Sequence, residues 1–195
     1  MYLPAAHSRD TFLTVQVVLL LSDVQWWVNN GRRYLGVREG GSLLEVGKPA
    51  PAFKLAGSDG QVHSLKGYAG KKVVLYFYPK DDTPGCTREA CDLRDSWSEI
   101  KELNAVVLGV SADDDKSHRK FSAKYNLPFT LLSDPWHEAM EAYGVWGEKV
   151  NYGRKYMGII RTTVVIDEKG RVVKFWPKVK VEGHRDEILA ALRGE

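Results

Sequence analysis

Three short runs of apolar, largely β-branched and aromatic residues constrain this chain most. "VVLYFY" (Val73–Tyr78), "AVVLGVS" (Ala105–Ser111) and "TTVVID" (Thr162–Asp167) read as strands buried on both faces. The last continues through "EKG" into "RVVKFW", which predicts a β-hairpin turning at Gly170. Helical spacing fills the intervals over Thr87–Leu103, Lys116–Tyr125, Trp136–Tyr143 and Arg185–Leu192. Strands alternating with helices imply an α/β fold: a central sheet with helices on both faces. No period of about 20–50 residues recurs, so a solenoid is excluded.

The chain divides near residue 45. Residues 46–195 carry the alternating pattern, whereas 1–45 read as an N-terminal extension. Its run "TFLTVQVVLLL" is shorter than the roughly 20 residues a bilayer span requires. Arg9 is offset by Asp10, and "SDVQWWVNNGRR" is no signal-cleavage site. The extension is expected to pack locally or stay mobile. A second expectation is that the natural start lies near "SLLEVG", with "REGG" encoded by a purine-rich ribosome-binding stretch. A net charge of +3 is too small to call for nucleic acid or an anionic membrane as partner.

The chain has only two cysteines, both in "PKDDTPGCTREAC" (Pro79–Cys91). That count fits no secreted disulfide scaffold and suggests a reducing, cytoplasmic setting where a disulfide is transient. Thr83 is an N-cap candidate, and Pro84 suits the first helical position, where a missing N–H costs nothing. Cys86 then falls in the first turn. There the free N–H groups and the positive end of the helix dipole favour the nucleophilic thiolate.

Cys86, Ala90, Leu93, Trp97 and Ile100 share one helical face, which shelters Cys86 against the sheet. In an intact helix Cys91 lies about 140° around from Cys86, with the two Cα atoms roughly 8.6 Å apart. A disulfide tolerates about 7 Å. A bond between the two thiols therefore requires the first turns to unwind. A thioredoxin-type C-x-x-C is absent, which makes a general thiol–disulfide oxidoreductase the weaker alternative to a single-cysteine nucleophile.

At these residues the chain resembles a peroxiredoxin. Pro79, Thr83 and Cys86 match P-x-x-x-T-x-x-C, and "TPGCTREACDLRD" is similar to the bacterioferritin comigratory protein, or peroxiredoxin Q, branch. "VGKPAPAFKL", "FSAKYNLPFTLLSD" and "YMGIIRTTVVID" follow in the family's order, so the likeness covers roughly 46–192. It implies a thioredoxin-like fold with a mixed sheet, and a peroxidase without metal, haem or flavin. It implies Cys86 as the peroxidatic and Cys91 as the resolving cysteine, joined in an intrachain disulfide during turnover. Thr83 would hydrogen-bond the thiolate and the peroxide, Pro79 would shield the pocket, and Arg161 would hold the thiolate. Hydrogen peroxide and organic hydroperoxides are the implied substrates, thioredoxin or a similar dithiol the reductant, and a monomer or weak homodimer the assembly. From the residues alone, Arg161 interrupts an apolar strand start, where a permanent cation needs an anionic partner.

Other motifs add little. Phosphate-cradling glycine loops and a G-x-S-x-G elbow are missing, and the five histidines show no metal-ligand spacing. "ADDDKSHRKF" reads as a capped, solvated helix entrance and lacks a calcium loop's glycine and distal glutamate. Trp146, Tyr152 and Tyr156 either line the far wall of the pocket or serve packing.

Overall fold

A computed structural model describes residues 25–29, 32–36, 44–151 and 153–195. The apolar run 11–21 and Tyr152 lie outside them. The chain divides into two units, Met1–Glu39 and Gly40–Glu195. In the first, β1 (Gln25–Asn29) pairs antiparallel with β2 (Arg32–Gly36), Trp26 opposite Leu35.

The second unit opens with β3 (Lys54–Gly57), β4 (Val62–Ser64), a 3-10 turn (Leu65–Tyr68) and β5 (Lys72–Phe77). Then come α1 (Pro84–Asp95), α2 (Trp97–Glu102), β6 (Ala105–Ser111), α3 (Asp115–Tyr125), β7 (Thr130–Ser133) and α4 (Glu138–Ala142). The chain ends with β8 (Trp146–Asn151), β9 (Arg154–Ile159), β10 (Thr162–Ile166), β11 (Val172–Pro177) and α5 (His184–Arg193). One seven-stranded sheet runs β11-β10-β5-β6-β7-β3-β4. Strands β5, β6 and β7 are parallel, while β10, β11, β3 and β4 join antiparallel. This is the mixed α/β sheet the apolar runs predict, and β8–β9 form a separate hairpin.

Because side chains alternate along a strand, β5 feeds two cores. Val73, Leu75 and Phe77 face one, with Ala139, Met140 and Tyr143 from α4 and its end. Val74, Tyr76 and Tyr78 face the other, with residues of α1, α2, α3 and α5. Helices thus cover both faces, with α1 and Cys86 on the second.

Two boundaries and one hairpin differ from the sequence reading. The helix expected over 87–103 breaks at buried Ser96 (φ −99°, ψ 9°), leaving α1 and α2. Asp95 and Ser96 both compete for backbone hydrogen bonds and favour such an interruption. Helix α4 starts late because Pro135–His137 loop over Asp134, whose carboxylate accepts the Glu138 and Met140 N–H groups, each at 2.9 Å. The β8–β9 hairpin, with Gly153 at φ 76° in its turn, was not expected at all. Its strands carry too few apolar residues to stand out by alternation. Trp146 stacks on His137 with ring centroids 3.6 Å apart and packs against the first core, while Tyr156 is exposed on β9.

The candidate active site

The site lies where β5 hands over to α1. Thr83 is the N-cap in extended conformation and Pro84 the first helical residue, which puts Cys86 in the first turn and buries it. Arg161 immediately precedes β10, whose Thr162 pairs with Phe77 at the end of β5. That antiparallel register carries the guanidinium across to the start of α1, where Nη2 donates to Cys86 Sγ at 3.1 Å. Gly85 lies beneath the guanidinium: a Cβ there would sit 3.4 Å from Nη2, an ordinary van der Waals contact.

The other predicted residues are distributed around this pair. Thr83 sits at the cap, but its hydroxyl donates to the Lys80 carbonyl at 3.1 Å, so its one proton is not given to the sulfur. Pro79 is exposed where the loop leaves β5. Cys91 is partly buried in the same unbroken α1, and both cysteines are free thiols. Trp146 and Tyr156 belong to the hairpin and are not hydrogen-bonded to the cysteine or the arginine. Among the described residues no three His, Cys, Asp or Glu gather as a metal-binding group. No helix among them is long and apolar enough to cross a membrane.

Glu89 is the residue that sequence reasoning missed. One turn beyond Cys86, its side chain is only 3 % exposed and pairs through Oε2 with Arg161 Nη1. The single guanidinium thus serves a carboxylate and a sulfur with different nitrogens, which only a planar fork can do. Glu89 Oε1 and the Tyr76 hydroxyl below are buried without hydrogen-bond partners. Burial pushes the Glu89 carboxyl up to about 7, against the attraction of Arg161. Burial also works against the Arg161 charge, but Glu89 and Cys86 more than offset it and raise its affinity for the proton. The signal was available: a glutamate three residues from Cys86 must flank the buried stripe.

This carboxyl sets a pH dependence of stability. Its folded pKa exceeds the ordinary 4.5, so between 4.5 and about 7 the folded state holds more protons than the unfolded one. Stability must then fall as pH rises through that window, by up to about 3 kcal/mol. Glu89→Gln abolishes this slope. Urea melts at pH 5 and pH 8 should show the variant gaining on the native protein by a few kcal/mol at the higher pH; equal slopes would reject the assignment.

Known proteins fit this geometry. Residues 46–175 match the AhpC/TSA family model. The chain is 54 % identical over 149 residues to the putative peroxiredoxin bcp of Coxiella burnetii, covering 76 % of this chain and 99 % of that one. Peroxiredoxin Bcp of Bacillus subtilis is 52 % identical over 150 residues, 77 % of this chain and 96 % of its own. The bacterioferritin comigratory protein of Xanthomonas campestris, solved in a study of its alkyl peroxide reduction, superposes with a TM-score of 0.72. It is 42 % identical across 79 % of this chain and 98 % of its own. A cysteine buried at a helix start under an arginine, on a sheet of this topology and at this level of identity, places the chain in the peroxiredoxin family, in its bacterioferritin comigratory protein (peroxiredoxin Q) branch, as a thiol peroxidase.

Proposed function

We propose that Cys86 is the peroxidatic residue, reducing hydrogen peroxide and organic hydroperoxides, and that Cys91 resolves it. The observation that carries this reading is the Arg161 Nη2 contact to Cys86 Sγ at 3.1 Å. A guanidinium there offsets negative charge on sulfur and on the oxygen that leaves it. The Cys86 thiolate attacks one peroxide oxygen and the O–O bond breaks. The departing hydroxide or alkoxide takes a proton and leaves as water or alcohol, while sulfur, oxidised by two electrons, becomes a sulfenic acid. Thr83 Oγ1, its proton engaged by Lys80, accepts a hydrogen bond from the peroxide, and Pro79 walls the approach.

The first turns of α1 then unwind. Cys91 attacks the sulfenic sulfur, water departs, and an intrachain disulfide forms. A dithiol such as thioredoxin restores both thiols by exchange. Alkyl peroxide reduction by the Xanthomonas relative supports the organic substrates. We assign the protein to the cytoplasm, where a transient disulfide can be reduced between turnovers, as a monomer or weak homodimer. The catalytic domain spans 46–195, with 1–45 as a separate extension.

Cys91→Ser tests the cycle. With one equivalent of peroxide, native protein should yield a Cys86–Cys91 peptide by mass spectrometry, and the variant a dimedone-trapped sulfenic acid at Cys86. Steady turnover with thioredoxin should fall at least about tenfold. A variant that turns over like the native protein would remove Cys91 from the cycle.

A further inference from the structure

The loop from Pro79 to Thr83 must hold its residues in register with Cys86, and α3 supplies the means. Asp81 has a side chain only 3 % exposed. Its carboxylate accepts hydrogen bonds from the Tyr78 hydroxyl at 2.6 Å, Ser117 Oγ at 2.8 Å and His118 Nδ1 at 2.9 Å. Its backbone N–H donates to Asp113 Oδ2 at 2.8 Å, and that carboxylate is fixed by Ser111 Oγ at 2.7 Å. The next residue, Asp82, takes the left-handed conformation at φ 55°, which aspartate tolerates better than most residues. Lys124 Nζ and the Tyr125 hydroxyl, both on α3, bond its carboxylate at 2.6 Å.

His118 is fully buried, and its Nε2 has no partner. Beside an acceptor-only carboxylate, Nδ1 must be the donor. An apolar plug of similar volume would often be as stable as such a buried polar group. What the polar cluster adds is direction: three donors converge on one carboxylate and leave the loop one position. Burial opposes the charge on Asp81, but the hydrogen bonds from His118, Tyr78 and Ser117 outweigh it and hold the carboxyl below its ordinary range.

We propose that Asp81 and His118 are positioning residues for peroxide reduction, pinning the 79–83 loop to α3 so that Thr83 and Pro79 stay aligned with the Cys86 sulfur. This rests on Cys86 being the peroxide-reducing thiol. The pair touches neither sulfur nor substrate. It keeps the loop stationary while α1 unwinds and rewinds beside it.

The test compares two reagents on Cys86 in a Cys91→Ser background. Peroxide needs the aligned loop, whereas iodoacetamide needs only the thiolate. Asp81→Asn and His118→Phe should each slow the peroxide reaction about 30-fold, since small misplacements cost one to two orders of magnitude. Alkylation should stay within about threefold. His118→Asn, which restores a donor near the Nδ1 position, should recover most of the peroxide rate. Equal losses with both reagents, or an unchanged peroxide rate in folded Asp81→Asn, would overturn the proposal. If the buried variants fail to fold, Ser117→Ala removes one donor at lower cost. It should slow peroxide about threefold with alkylation unchanged, and a native peroxide rate there overturns the proposal too. Cys86→Ser run in parallel separates the two readings, because peroxide consumption surviving that change would displace the thiol assignment itself.

Discussion

Cys86→Ser should leave hydroperoxide consumption at the level of buffer, a loss of at least about 10⁴-fold in the second-order rate constant. Serine fills the same space in the first turn of α1, so the fold and the Arg161–Glu89 pair should persist. What disappears is the polarisable sulfur. A hydroxyl keeps its proton at neutral pH and is a poor nucleophile toward an O–O bond without a general base. Glu89, one helical turn on, is engaged by Arg161 through Oε2. Stopped-flow fluorescence of Trp97, which packs against the core cluster that includes Cys86, reads the rate directly. A variant that retained even one-hundredth of the native rate constant would mean that another group does the chemistry.

Arg161→Met is the second large effect, with an expected loss of about 10³-fold. Methionine matches much of the arginine stem but removes both arms of the fork. The sulfur loses its 3.1 Å donor, and Glu89 loses the one cation that opposes its desolvation. That carboxyl should then take up a proton and remain neutral well above pH 7, which lets the variant fold while its chemistry fails. Arg161→Lys separates charge from geometry. One ammonium cannot face both Glu89 and Cys86 along the two directions of a planar fork, so lysine should recover only a small part of the lost rate. Full recovery by lysine would show that charge alone matters.

Much of the fold was legible because it is local. The apolar runs at 73–78, 105–111 and 162–167 became β5, β6 and β10 within a residue at each end, since strands buried on both faces need uninterrupted apolar sequence. Thr83, Pro84 and Cys86 read correctly as a helix entrance for the same reason. Arg161 stood out as a cation in an apolar strand start, and its partners are the buried Glu89 and Cys86. What stayed hidden depends on distant residues. "ADDDKSHRKF" does cap a helix through Asp114, which accepts from Ser117 N–H at 2.8 Å. Yet Asp113, Ser117 and His118 from that stretch also grip Asp81 more than 30 positions earlier. Capping is a short-range pattern, but a cross-link between loop and helix leaves no periodic trace. Glu89 escaped notice because its neighbours Arg88 and Asp92 made it look like one more surface charge.

Arg161 lies 75 residues after Cys86 along the chain, and this spacing has a consequence during synthesis. The cysteine leaves the ribosome well before its arginine has been made, and β10, which delivers that arginine, pairs with a strand made long before it. A partly synthesised chain therefore holds the thiol without its guanidinium neighbour. On the proposed reading of the Cys86–Arg161 pair, the reactive form arises only once translation has passed residue 161 and the sheet has closed. On that reading an unfinished copy is spared oxidation to sulfinic or sulfonic acid, and reactivity at Cys86 reports that the domain has been assembled.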